Sequence, residues 1–237
     1  MLDGFRLEVD GIRVTPLASA QRLLAFLALR GPVARVVAAG TLWGDVREEH
    51  AMGSLRTAIW RCNRAVGGLV DVGRGQLTLA DFVRIDVAEL VEGSALFLDS
   101  TWFPDRIGFP DGTGGAAAPL AAFPAVRRAE LLPGWYEDWV IFERERLRHL
   151  RLHGLEAAAH HLTARGLYAA SLEFALEAVR CEPLRESARR AVILVHLAEH
   201  NVVEAVRQFE EFQRLLMKEL GIEPSAELAD LVFRRLR

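Results

Sequence analysis

Residues Gly166-Leu167-Tyr168-Ala169-Ala170-Ser171-Leu172 return in kind 34 positions later as His200-Asn201-Val202-Val203-Glu204-Ala205-Val206, and the same offset carries Ala175 onto Phe209. That period is the length of a tetratricopeptide unit, a pair of helices that cannot bury its apolar face alone and so stacks on its neighbours. Pro183 and Pro224 fall where a helix must stop. Helical patterning predicts a long amphipathic helix from Trp139 to about Arg165, then segments near 169–181, 186–199, 203–220 and 225–236. An ordinary helical bundle is the alternative that two degenerate copies leave open.

The first 98 residues follow another rule. Phe5 to Val9 alternate, Asp10-Gly11 is a hairpin turn, and Ile12-Arg13-Val14 resume the alternation. From Ser19 the period becomes helical, with Leu23, Leu24, Leu27 and Ala28 on one face until Gly31-Pro32. A second helix is predicted from Ala34 to Trp43 and a third from Glu49 to Val66. Leu69–Val72 and Gln76–Leu79 flank the turn Gly73-Arg74-Gly75, which predicts a hairpin, and Val83–Ile85 is read as a further strand. Between the halves, 99–124 is rich in proline, glycine and alanine and reads as a linker or mobile loop. The chain is therefore expected to be mainly α with small β elements: a winged helix-turn-helix over 1–98, the linker over 99–124, and an all-α tetratricopeptide-like domain over 125–237.

Composition narrows the function by exclusion. Of 237 residues, 51% are hydrophobic and 26% charged, which is globular and not disordered. No run approaches the ~20 apolar residues of a membrane span, and the acidic N-terminus is unlike a secretion signal. Cys62 and Cys181 form no CxxC pair, so a reduced, cytoplasmic protein without membrane contact is expected. The net charge of −3 means that any nucleic-acid surface must be local. Residues 1–98 hold 11 arginines against 11 acids, and Lys218 is the one lysine in the chain, so every candidate contact in this half is a guanidinium.

The third helix is where the charge segregates. Leu55, Ile59, Cys62 and Val66 form its apolar stripe, and the other face carries Arg56, Thr57, Trp60, Arg61 and Arg64. No acid lies between Ser54 and Val70. Guanidinium groups pair with guanine edges or phosphates, and a threonine methyl can touch thymine. Arg74, between two glycines at the hairpin tip, is placed to meet a phosphate backbone. Against this stand plainer readings: a solvated basic face for the arginines, and a packed ring for Trp60. The order of strands, three helices and hairpin favours the reader, since it is the OmpR-type winged-helix order.

Leu42-Trp43-Gly44-Asp45 and Ser54-Leu55-Arg56-Thr57-Ala58-Ile59-Trp60-Arg61 resemble the winged helix of the Streptomyces antibiotic regulatory proteins. Leu131-Leu132-Pro133-Gly134-Trp135-Tyr136-Glu137-Asp138-Trp139-Val140 resembles the opening of the bacterial transcriptional activator domain that follows it, and Leu220-Gly221-Ile222-Glu223-Pro224-Ser225 its close. The resemblance leaves out 99–124, has Gly75-Gln76 where the family often carries Gly-Tyr, and has Arg127-Arg128-Ala129-Glu130 in place of Tyr-Arg-Gly. It implies an activator, often of secondary-metabolite genes, that binds direct repeats upstream of promoters as a pair of subunits and recruits RNA polymerase. Promoter DNA, RNA polymerase and a second copy on DNA are the implied partners, with no cofactor. The missing P-loop implies a short member without an NTPase extension.

An enzyme is the first rival, but GxSxG, HExxH, CxxC and Walker patterns are absent from the sequence. His149, His153, Glu156, His160 and His161 repeat at helical spacing and could in principle ligate zinc, although a solvated helix face explains them as well and no metal is expected. The second rival is a repeat-type adaptor that has lost DNA binding, which has no reason to keep the Arg56–Arg64 face free of acids.

Overall fold

The computed structural model describes residues 1–73, 75–88, 90–92 and 130–234. The chain divides into two compact units, Met1–Ala88 with Ala129–Arg144, and Glu89–Arg128 with Glu145–Arg237.

The first unit opens with strands β1 (Leu7–Val9) and β2 (Ile12–Val14), antiparallel, with Val9 opposite Ile12. The two-residue turn puts Asp10 at φ 51° and Gly11 at φ 78°, the positive pair that matches the strand twist. Helix α1 (Ala18–Arg30) buries Ala20, Leu23, Leu24 and Leu27 and stops at Gly31. Strand β3 (Val33–Ala34) leads into α2 (Arg35–Leu42). The turn to α3 (Glu48–Ala65) is tight, since a Cβ at Gly44 would lie 2.7 Å from the Gly40 carbonyl oxygen. Strands β4 (Val70–Gly73) and β5 (Gln76–Leu79) form a hairpin, and β3 joins it in the order β3-β5-β4. Asn63 fastens this sheet to α3: its Nδ2 donates to the Val70 carbonyl at 2.9 Å, and the Val70 N–H donates to Asn63 Oδ1 at 2.7 Å. Among the described residues, 83–85 pair with no strand. The expected strand there gives way to a non-repetitive run that leads to Asp86, whose Oδ2 accepts from the Leu2 N–H at 2.8 Å.

Residues 130–144 pack into this same unit. Leu131 bridges Leu2, and the Asp3 N–H donates to the Glu130 carbonyl at 2.8 Å. Trp135 stacks on Phe5, and Trp139 meets Phe26 of α1 edge-on at 5.4 Å. Glu137 accepts from Arg22 of α1 at 2.7 Å, and Arg144 donates to the carbonyls of Leu131, Leu132 and Trp135. The LLPGWYEDW string is thus a strap held to α1 by aromatic burial and one ion pair.

The second unit is helical. The long helix α4 (Asp138–Ala164) contributes Leu155, Ala158, Ala159 and Leu162 to a core shared with Phe174, Ala175 and Ala178 of α5 (Tyr168–Cys181) and Ala188 and Val192 of α6 (Glu186–Ala198). A second cluster joins Ile193 and Leu197 of α6 to Phe209, Phe212 and Leu216 of α7 (Val202–Leu220) and to Leu228 and Val232 of α8 (Ala226–Phe233). Helices α5 and α7 start at Tyr168 and Val202, the offset found in the sequence. The residues two before them, Gly166 and His200, both take positive φ, 73° and 62°, so the repeat extends to the backbone of its turns. It is imperfect because α7 runs 19 residues against 14 for α5. The closing LGIEPS string is a stop and a restart: Gly221 caps α7 in the left-handed region, and Ser225 accepts from Leu228 N–H to cap α8. The Ser225 N–H also donates to Glu186 of α6 at 2.9 Å.

Two stability predictions follow from these fastenings. Asn63→Ala strands both Val70 backbone groups, and denaturant unfolding should show a loss of about 1–3 kcal/mol. For Glu186, burial alone would push the carboxyl up, but the Ser225 hydroxyl and amide, with Arg190, hold it below its ordinary value of 4.5. A depressed folded value means stability that is present above the unfolded value and lost as pH falls through the folded one. Thermal melts between about pH 6 and about pH 3 should therefore show wild type losing its advantage over Glu186→Gln as the pH drops.

Candidate nucleic-acid interface

Helix α3 spans Glu48–Ala65, with Glu48 and Glu49 in its first turn and Arg64 in its last, each suited to the helix dipole. Its rotation is set by Ala51, Leu55, Ala58, Ile59 and Cys62, all buried against the rest of the first unit. Cys62 belongs wholly to this core: its thiol lies 3.7 Å from the Ala20 carbonyl, and burial pushes it up to about 12, so it stays protonated. Val66, expected at the end of the apolar stripe, is half-buried and just past the helix.

With that stripe turned inward, Arg56, Thr57, Trp60 and Arg64 are exposed on the opposite side. From Arg56 to Arg64 the face runs about 12 Å along the axis, comparable to the ~12 Å width of a major groove. Trp60 is not packed into a neighbouring element: it is 57% exposed, with the Arg64 guanidinium 4.9 Å above its ring. That cation–π contact holds Arg64 in a defined place on the surface. The Thr57 hydroxyl donates to the Gly53 carbonyl at 3.0 Å.

Arg61 differs from the rest. It is half-buried, and its Nη1 donates to Ser19 Oγ of α1 at 2.9 Å, so α1 holds its guanidinium at the edge of the face. Arg74 lies outside the described residues, although the strands on either side of it, β4 and β5, form the expected hairpin. Sequence reasoning passed over Asn63, which bolts the hairpin to α3. Its signal was faint: a polar residue beside Cys62 with its partner seven positions on, visible only once the hairpin is placed.

The histidine-rich stretch of α4 does not converge on a metal site. His149 Nε2 lies 2.9 Å from Glu145, while Glu156 accepts from Arg185 at 2.8 Å and Ser187 at 2.7 Å. Among the described residues, no group of three or more His, Cys, Asp or Glu is placed to hold a metal ion, and no helix is long and apolar enough to cross a membrane.

Comparison with known proteins agrees with this architecture. Residues 117–234 match the model of the bacterial transcriptional activator domain. Regulatory protein AfsR of Streptomyces coelicolor is 28% identical over 241 residues, covering 96% of this chain and 23% of AfsR. A solved structure of Mycobacterium tuberculosis EmbR, in complex with a low-affinity phosphopeptide, shares the fold at a TM-score of 0.67 and 18% identity, covering all of this chain and 64% of that one. The chain thus spans about a quarter of the length of AfsR. With a winged-helix order of elements in its first unit and a stacked helical array in its second, the chain shares the fold of EmbR, resembles AfsR along nearly all of its length, and carries over 117–234 a match to the bacterial transcriptional activator domain.

Proposed function

We propose that the chain is a sequence-specific DNA-binding transcription activator that acts in the cytoplasm. The observation that carries this reading is the segregation on α3, where an apolar stripe faces the core while Arg56, Thr57, Trp60 and Arg64 face solvent with no acid among them. In this reading α3 enters the major groove. Arg56 and Thr57 meet base edges, Arg64 is presented by Trp60 to a phosphate, and Arg61, fixed by Ser19, lies at the groove wall. Arg74, between β4 and β5, contacts the backbone as the tip of the wing.

Residues 1–98 form the DNA-binding domain, 99–124 the connection, and 125–237 the activator domain. Two copies bind direct repeats upstream of a promoter, often one of a secondary-metabolite cluster, and the helical domain contacts RNA polymerase or the second copy. The charge balance supports this division of labour, because 99–237 carry 18 basic residues against 21 acids and so make a poor second DNA surface.

Fluorescence anisotropy with duplex DNA from the chain's own upstream region tests the reading. Binding should be sequence-specific and weaken steeply with salt, each phosphate contact adding about −0.9 to the log–log slope. Equal affinity for unrelated duplexes, or none for any, would favour the adaptor. Arg56→Ala should cost about 1–3 kcal/mol at one base position and relax specificity there. Arg64→Ala should instead weaken all sequences alike and reduce the salt slope by about 1.

A further inference from the structure

Gly53 is the sixth residue of α3, inside the helix, where glycine weakens the structure relative to alanine through its backbone freedom. Nothing in the fold requires it. Its backbone is ordinary right-handed helix, and a Cβ built there would meet nothing nearer than Arg56 Nη2 at 3.8 Å, an ordinary contact. Gly53 is only partly covered, and it stands on the same helical stripe as the exposed residues, three and four positions before Arg56 and Thr57 and seven before Trp60. The Gly53 carbonyl accepts from the Thr57 hydroxyl, and what lies nearest a Cβ built there is the far end of the flexible Arg56 side chain, which can move aside.

We infer that Gly53 is a point of close approach, where the bare helix backbone lies against a base edge in the major groove and a Cβ would hold the helix away. This rests on the DNA-reading function proposed above and deepens it. It moves the deepest contact one turn toward the helix N-terminus, the part of a recognition helix that meets bases. It also makes Gly53 a determinant of specificity that supplies no hydrogen bond and no charge. Glycine serves this purpose wherever a ligand must touch backbone.

Gly40 provides an internal control. It is also helical, lies in α2, is exposed, and has nothing within 4 Å of its built Cβ. In the full chain, Gly53→Ala and Gly40→Ala should each raise the unfolding midpoint, by about 2–4 °C if the gain is that of a helical Gly→Ala change. Anisotropy titrations would use the upstream duplex and a scrambled duplex of equal length. Gly53→Ala should lose about tenfold or more on the upstream duplex, as one methyl forced into a packed contact does. It should keep wild-type affinity for the scrambled duplex, which phosphate contacts govern. Gly40→Ala should bind both as wild type does. Wild-type affinity of Gly53→Ala for the upstream duplex, or a lowered midpoint for that variant, overturns the inference. Wild-type chain that does not prefer the upstream duplex overturns the proposed function first, and that failure shows in the wild-type titration alone.

Discussion

The burial of one apolar stripe on α3 is the constraint on which the first unit depends. Leu55, Ala58, Ile59 and Cys62 are all at or below 9% exposure, and burying a leucine or isoleucine contributes about 1.5–3 kcal/mol each. Successive residues turn about 100° around a helix, so fixing those four fixes the azimuth of every other residue on it. Arg56, Thr57, Trp60 and Arg64 are exposed because of that constraint, and Gly53 joins them by the same arithmetic. The wing is tied to the same helix through Asn63 and Val70. A rotation of α3 would therefore bury charge, expose the stripe and break the two hydrogen bonds between the Asn63 side chain and the Val70 backbone together.

The strap from 130 to 144 serves packing within the first unit. It reads as the opening of the helical domain because it resembles the start of the bacterial transcriptional activator domain. In the folded chain Leu131, Leu132, Trp139 and Val140 are buried within the first unit. The family match over 117–234 describes descent, and the compact unit ending at Arg144 describes contact. The two boundaries answer different questions. The closing string is likewise explained by local chemistry: glycine to end α7, proline to keep the chain from continuing it, and Ser225 to cap α8 while reaching Glu186.

In the second unit the repeat is real in the backbone and loose in the side chains. Gly166 and His200 adopt the same left-handed turn although only one is glycine. A histidine there is strained, but Asn201 beside it accepts from Glu204 N–H and begins the next helix. Ala175 and Phe209 share a register position with very different volumes, and both are buried, so each pair of helices solves its packing separately.

The sequence alone determined all the helices but the last to within a residue or two, because period, glycine stops and proline breakers are local signals; the last, expected over 225–236, ends at Phe233. It also determined the basic face, since a run without acids from Ser54 to Val70 is a property of order. Tertiary structure decided what local signals cannot carry. It showed that β3 is a two-residue strand paired across the sheet and that, among the described residues, 83–85 join no sheet. It set Arg61 against Ser19, 42 positions away, left Trp60 exposed, and joined the LLPGWYEDW strap to α1. Each of these depends on which surface arrives from elsewhere in the chain, and that is a matter of packing, which the spacing of residues along one helix does not encode.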